Sequence, residues 1–307
     1  MMNKHLIEII NVSKSFPGIL ANDRVSFRIR NNSVHALLGE NGAGKSTLVK
    51  ILYGILEHDI GDIIFDNNNF KIKSPAEARK IGIGMVFQHF SLFDSLTVAE
   101  NLILGFDEKI SLNKLKKQVE TLSLKYELPL DFEAPITTLS AGEKQRVEII
   151  RILLQNPKLL IMDEPTSVLT PQETIKLFQT LEKLINEGKT ILYITHKLEE
   201  VKKICDEVTI MRNGKVIETC NAKDEDVNSL ASKMLGKKLI EIKKDDNIFD
   251  TNKISFQVKN LNTNYNDPFL VDLKNISFQI MEGEIFGIAG IAGNGQIELM
   301  NILSGEE

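Results

Sequence analysis

Cysteine is scarce in this sequence: Cys205 and Cys220 are the only two in 307 residues. Two thiols cannot build a metal cluster or a disulfide framework, which fits a reducing compartment and predicts buried or idle side chains. Long apolar runs are missing too. No uncharged hydrophobic stretch approaches the roughly 18 residues that suggest a membrane span. The opening MMNKHLIEII lacks the hydrophobic stretch and cleavage site of a secretory signal, so the chain is expected to stay in the cytoplasm. A basic excess is also lacking. Lys and Arg number 37 against 42 Asp and Glu, a net charge of −5, which argues against a free-standing nucleic-acid binder. What is present is a hydrophobic fraction of 42%, ample for a core. The length suits about two domains at ~150 residues each.

Short, continuous apolar runs punctuate the first 200 residues. His35 to Leu38 ends at a glycine-rich turn and is followed by helical spacing from Ser46 to Tyr53, with Gly54 as a stop. Ile83 to Phe87, Leu159 to Met162 and Ile191 to Ile194 read the same way. Strands that are apolar throughout, without alternation, belong to parallel sheets covered on both faces. Between the last two, Thr170 suits an N-cap, Pro171 a first turn and Glu173 a capping box. Ile175, Phe178, Leu181, Leu184 and Ile185 then predict one apolar helix stripe ending at Gly188. This is the doubly wound α/β plan, interrupted over about residues 91–155 by a stretch that reads as an inserted helical subdomain.

The stretch Gly39, Glu40, Asn41, Gly42, Ala43, Gly44, Lys45, Ser46 and Thr47 fits G-x4-G-K-[ST] between a strand and a helix, the setting of a phosphate-binding P-loop. Its glycines let successive N–H groups wrap a β-phosphate. Lys45 adds a cation between β- and γ-phosphates, and the Ser46 hydroxyl is placed to coordinate Mg²⁺. Asp163, at the end of the Leu159–Met162 strand, delivers a carboxylate to the ligand crevice of such a sheet and is expected to hold Mg²⁺. Glu164 is then the candidate to polarise a water for attack on the γ-phosphate.

Taken in order, the P-loop, Leu139-Ser140-Ala141-Gly142-Glu143-Lys144-Gln145-Arg146, Leu160 to Thr166, and His196 resemble the ATP-binding subunit of ABC transporters. The resemblance implies a P-loop NTPase of ABC type: a β subdomain, a doubly wound parallel core sheet and the inserted helical subdomain. It implies ATP and Mg²⁺ as ligands. Gln88 then looks like the Q-loop glutamine that touches Mg²⁺ and senses a membrane partner, and His196 like the switch histidine that contacts the γ-phosphate. Phe16 lies where the family stacks an aromatic on adenine. Ser140 and Gly142 look like the signature residues that complete the site of an opposing ATPase domain, supplied by dimerisation or in the same polypeptide. Two departures stand out: Ala141 replaces the first signature glycine, and Thr170 stands where many relatives carry Asp.

Residues 1–236 read as one complete ATPase domain, and the charged stretch 237–253 as a linker. From residue 254 the opening of the chain recurs: Asn260-Leu261 matches Asn11-Val12, Ile276-Ser277-Phe278 matches Val25-Ser26-Phe27, and Gly290 matches Gly39. One repeat at this period means a duplicated domain. Its loop carries Gln296 and Ile297 in place of Lys and Ser, so weak or no nucleotide binding is expected there. The copy stops at Glu307, which reads as a truncated chain.

An intact first loop with an altered second resembles the sugar and nucleoside branch of ABC importers, and Gly82 to Phe90 looks more like the nucleoside members. The implied activity is ATP hydrolysis energising import through transmembrane permease subunits, fed by an extracytoplasmic solute-binding protein. The implied location is the cytoplasmic face of the membrane, with no nucleic-acid partner. The alternative is a soluble tandem ABC ATPase acting on ribosomes or DNA. It predicts two competent sites and basic segments, and the altered loop and the charge of −5 argue against it.

Overall fold

The computed structural model describes residues 5–106, 111–237, 253–265, 270–290 and 293–306. The chain divides into two compact units, Met1–Leu239 and Ile240–Glu307. The first unit opens with a long hairpin, β1 (His5–Phe16) and β2 (Ile19–Arg30), followed by β3 (Val34–Leu38) and α1 (Lys45–Leu52). Next come β4 (Ile60–Phe65), β5 (Asn68–Asn69), α2 (Pro75–Ile81) and β6 (Ile83–Val86). The helical stretch holds α3 (Val98–Ile103), α4 (Leu112–Tyr126), a short 3-10 turn at Ile136–Thr138, and α5 (Ala141–Leu153). The unit closes with β7 (Leu159–Asp163), α6 (Pro171–Asn186), β8 (Thr190–Thr195), α7 (Leu198–Ile204), β9 (Glu207–Arg212), β10 (Lys215–Asn221) and α8 (Val227–Leu235).

Two sheets organise these elements. A six-stranded sheet runs β10-β9-β3-β8-β7-β6, parallel throughout except for the antiparallel β10 edge. A four-stranded antiparallel sheet runs β2-β1-β4-β5. The large sheet is covered on both faces, which is why its strands lack polar alternation. Leu37, Ile161, Leu192 and Ile194 pack with α1 and the antiparallel sheet. Ala36, Leu38, Leu160, Met162, Ile191 and Tyr193 pack with the helices of the other face. Each such large side chain contributes about 1.5–3 kcal/mol by leaving water.

Thr170 caps α6, with its hydroxyl accepting from Glu173 N while the Glu173 carboxylate accepts from Thr170 N. Such a cap is worth about 1 kcal/mol. The stripe expected on α6 needs one correction. Ile175 is 48% exposed, and the buried set is Leu177, Phe178, Thr180, Leu181 and Leu184. A period of 3.6 residues allows either edge of a stripe to turn inward, and here the core lies on the Leu177 side. Cys205 is buried and Cys220 half-buried. Cys220 lies beside Glu218 and Glu225, whose carboxylates pair with Lys233 Nζ at 3.0 and 2.7 Å.

The second unit contains the hairpin β11 (Ile254–Leu261) and β12 (Ile276–Met281), and the helix α9 (Gln296–Ser304). The internal repeat extends to backbone detail. Asn11 and Asn260 both have left-handed φ, 50° and 48°. Each donates its N–H to a serine hydroxyl, Ser26 or Ser277, at 2.8 Å. Arg24 N–H donates to Ser13 Oγ at 2.9 Å, and Asn275 N–H to Asn262 Oδ1 at 2.8 Å. Most of the expected linker, residues 238–252, lies outside the described residues.

Candidate phosphate-binding and hydrolytic site

Parallel order puts the carboxyl ends of β3, β8, β7 and β6 along one edge. The segments that follow these strands carry the glycine loop, His196, Asp163 with Glu164, and Gln88. The register aligns Leu38 with Thr195 and Asp163 with Ile194, so the functional segments leave the sheet at the same level.

The glycine loop is held from outside by residues far away in the chain. Asn22, fully buried, donates from Nδ2 to Gly44 O at 3.1 Å, and Gly214 N–H donates to Ala43 O at 3.1 Å. Gly44 has φ 97°, and a Cβ there would collide with Ala21 O and Asn22 Nδ2, so only glycine fits. Gly44 also starts α1 without a side-chain cap, whereas Ser74, Thr97, Ser140, Thr170 and Asp226 cap α2, α3, α5, α6 and α8. First-turn N–H groups without a side-chain acceptor make an anion site. Lys45 is 6% exposed and donates from Nζ to Gly39 O at 2.6 Å and Glu40 O at 3.0 Å. Burial lowers its pKa, and the neighbouring Glu164 and Asp163 oppose that shift.

Asp163 is buried, and its pKa is pushed up to about 6, first by burial and then by the Glu164 charge; Lys45, Lys50 and His89 pull the other way. A carboxylate held this way gains from a cation beside it, and carboxylate and hydroxyl oxygens such as those of Asp163 and Ser46 are of the ligand type that suits Mg²⁺. Glu164 has φ 46°, a left-handed backbone that costs a non-glycine residue on the order of 1–2 kcal/mol. Its N–H donates to Ile194 O at 2.9 Å. Its carboxylate takes Gln88 Nε2 at 3.2 Å on one oxygen and lies 3.1 Å from His196 Nδ1 on the other.

A cavity of about 650 Å³ is lined by residues 41–47 together with Gln88, Glu164, Ile19, Leu20, Ala21, Asn213 and Gly214. His196 faces a neighbouring hollow with Glu40 and Asn41. Phe16, Gly39, Ser140, Gly142 and Asp163 do not line that cavity. Phe16 is 41% exposed at the end of β1, pairs with the cavity residue Ile19, and has Lys14 Nζ 5.8 Å from its ring centre. Ser140 caps α5 in a box with Glu143. Gly142 is buried against α6, where a Cβ would overlap the Glu173 carboxylate. Sequence reasoning missed Asn22, Asn213 and Gly214; the Asn-Gly pair at the β9–β10 turn was the one local signal.

In the second unit, Gly295 starts α9 with φ 88° and no side-chain cap, as Gly44 starts α1. Gln296 lies against Gly290 where Lys45 lies against Gly39, and its Oε1 accepts from Asn294 N at 3.2 Å. The amide oxygen thus takes an N–H of its own loop. Ile291 and Ala292 are outside the described residues.

The sequence model of the family described as ABC transporter matches residues 22–167. The chain is 41% identical, over 99% of its length, to the nucleoside import ATP-binding protein NupA of Lactococcus lactis, covering 61% of that protein. It is 40% identical over 98% of its length to the guanosine import ATP-binding protein NupO of Bacillus subtilis, covering 60%. Against the ribose import ATP-binding protein RbsA of Clostridium tetani the identity is 39% over 99% of the chain, covering 60%. The chain therefore spans about three fifths of the length of these curated relatives. Among solved structures, a subunit of an ABC transporter complex from Clostridium perfringens matches with TM-score 0.65 and 32% identity, over 72% of this chain and 90% of that one. A dimeric bacterial ABC transporter cassette matches with TM-score 0.63 and 30% identity, over 71% and 99%.

Proposed function

The chain belongs to the ABC transporter family of ATP-binding cassettes, and on that premise we propose that it binds and hydrolyses Mg²⁺–ATP to energise import of a nucleoside or sugar through a membrane permease. The observation that carries the hydrolytic reading is the Glu164 carboxylate, which lines the glycine-loop cavity with Gln88 on one oxygen and His196 on the other. The names of the relatives carry the import reading, since those described are import proteins for nucleosides, guanosine and ribose.

In this reading the N–H groups of residues 42–47 and the Lys45 ammonium hold the β- and γ-phosphates. Ser46, Gln88 and Asp163 would hold Mg²⁺, which would supply charge neutralisation when bound. Glu164 accepts the proton of the attacking water, and His196 fixes that carboxylate and contacts the γ-phosphate. Phe16 stacks on adenine. Ser140 and Gly142 complete the site of an opposing ATPase domain, so two domains close over ATP and opening follows hydrolysis.

No helix among the described residues is long and apolar enough to cross a membrane. The chain would then work at the cytoplasmic face, bound to permease subunits that receive solute from an extracytoplasmic binding protein. The experiment is co-purification of the tagged chain with a multi-span membrane protein, followed by ATPase assay with and without it. Capture of a permease that stimulates turnover supports the proposal. Capture of ribosomes or DNA in its place would favour the soluble tandem ATPase and overturn import.

A further inference from the structure

Beneath the Glu164–His196 contact lies a second, buried connection between the same two loops. Glu200 stands in the first turn of α7 and is 8% exposed. Its Oε1 accepts from Thr166 Oγ1 at 2.6 Å, and its Oε2 accepts from Tyr193 OH at 2.7 Å and from Thr195 Oγ1 at 3.3 Å. Thr166 lies two residues beyond Glu164, and Thr195 immediately precedes His196. Lys197 closes the ring: its Nζ donates to Thr166 O at 3.0 Å and Thr166 Oγ1 at 3.1 Å, and its backbone N–H to Thr195 Oγ1 at 3.0 Å. Lys197 Nζ also lies 3.5 Å from Glu200 Oε1, which pairs the buried charge.

Both threonine hydroxyls therefore donate to one carboxylate and accept from one lysine. That arrangement satisfies each group in a single geometry, and buried polar networks of this kind rigidify what they join. A hydrophobic plug would cover the strand ends equally well, but it would not fix the loops against each other in register. Glu164 needs such fixing because its backbone is left-handed, with φ 46°.

We infer that Glu200 is a positioning residue that ties the loop after β7 to the loop after β8, and thereby sets where Glu164 and His196 stand for hydrolysis. The inference rests on the hydrolytic reading of the site. Its role is indirect, since Glu200 reaches the reacting atoms only through Thr166 and Thr195.

The test is Glu200→Gln in the full 307-residue chain, which keeps the shape but faces hydroxyl donors with an amide N–H₂. Displacement of the loops lowers kcat for Mg²⁺–ATP by roughly 10- to 100-fold, while KM and ATP affinity stay within about 2-fold because the glycine loop is untouched. Thr166→Val, which deletes one hydroxyl at constant volume, reproduces the split even if Glu200→Gln folds poorly, and Thr166→Ser restores kcat. In a His196→Ala background, Glu200→Gln costs less than in the wild type because only the placement of Glu164 is then at stake, the non-additivity expected of groups acting through one another. Wild-type kcat in both Glu200→Gln and Thr166→Val, or an equal loss with and without His196, overturns the inference. Glu164→Gln serves as the control. If that variant turns over as fast as wild type, the hydrolytic reading itself fails; if it is inactive while the Glu200 and Thr166 variants are normal, this inference alone fails.

Discussion

Glu164 Oε1 and His196 Nδ1 lie 3.1 Å apart although the residues leave different strands, β7 and β8. The contact is half open to solvent: His196 is 51% exposed at its side chain and Glu164 13%. A carboxylate so placed is sheltered but reachable by water, and the imidazole limits how far it can turn.

Replacing His196 with Ala therefore lowers turnover on the order of 100-fold, as when one preorganised contact to a transition state is removed. ATP affinity changes little, because Lys45 and the α1 N–H groups lie on another segment. Steady-state kinetics beside equilibrium nucleotide binding checks this split.

Lys45→Ala acts on binding. Charge-assisted bonds of this kind are worth about 1.5–3 kcal/mol, so affinity drops by roughly 10- to 150-fold. In the second unit Gln296 stands in place of the lysine and its Oε1 accepts an N–H of its own loop, so no competing site is expected there. Calorimetric titration then gives one nucleotide per chain for the wild type and none of comparable affinity for Lys45→Ala.

His35 provides a pH dependence away from the site. It is fully buried with Nε2 2.8 Å from Thr209 Oγ1, stacks on Phe27, and has Glu207 and Arg30 nearby. Burial lowers its pKa below 6.5, with Glu207 opposing. The unfolded state then binds the proton more readily, so the stability contribution is complete above pH 6.5 and is lost as pH falls through the folded value. Urea midpoints fall between pH 7.5 and 5.5 in the wild type and fall less in His35→Gln; an equal fall would contradict the assignment.

Local chemistry accounts for what was legible in the sequence. The Thr170, Pro171 and Glu173 cap involves neighbours only, and the loop at Gly39–Thr47 announces itself by spacing. Apolar strands betray the two-sided burial of the sheet without any knowledge of its partners. Contacts that span the chain were not legible. Asn22 supports Gly44, Gly214 supports Ala43, and Glu200 joins Thr166 to Tyr193; none is marked by composition or period. Ile175 went astray because the helical period fixes a stripe's spacing but not which edge faces the core. The repeat was visible as matched letters, and a left-handed Asn beside a serine hydroxyl recurs in both stretches.

In the proposed function, Glu164 activates water at a site that the glycine loop builds for ATP. The most direct measurement is Mg²⁺–ATP turnover by the wild type and by Glu164→Gln at matched nucleotide occupancy. The variant is expected to bind ATP with near-normal affinity and to turn it over at least about 100-fold more slowly. Hydrolysis at the wild-type rate by the fully occupied variant would contradict that role of Glu164.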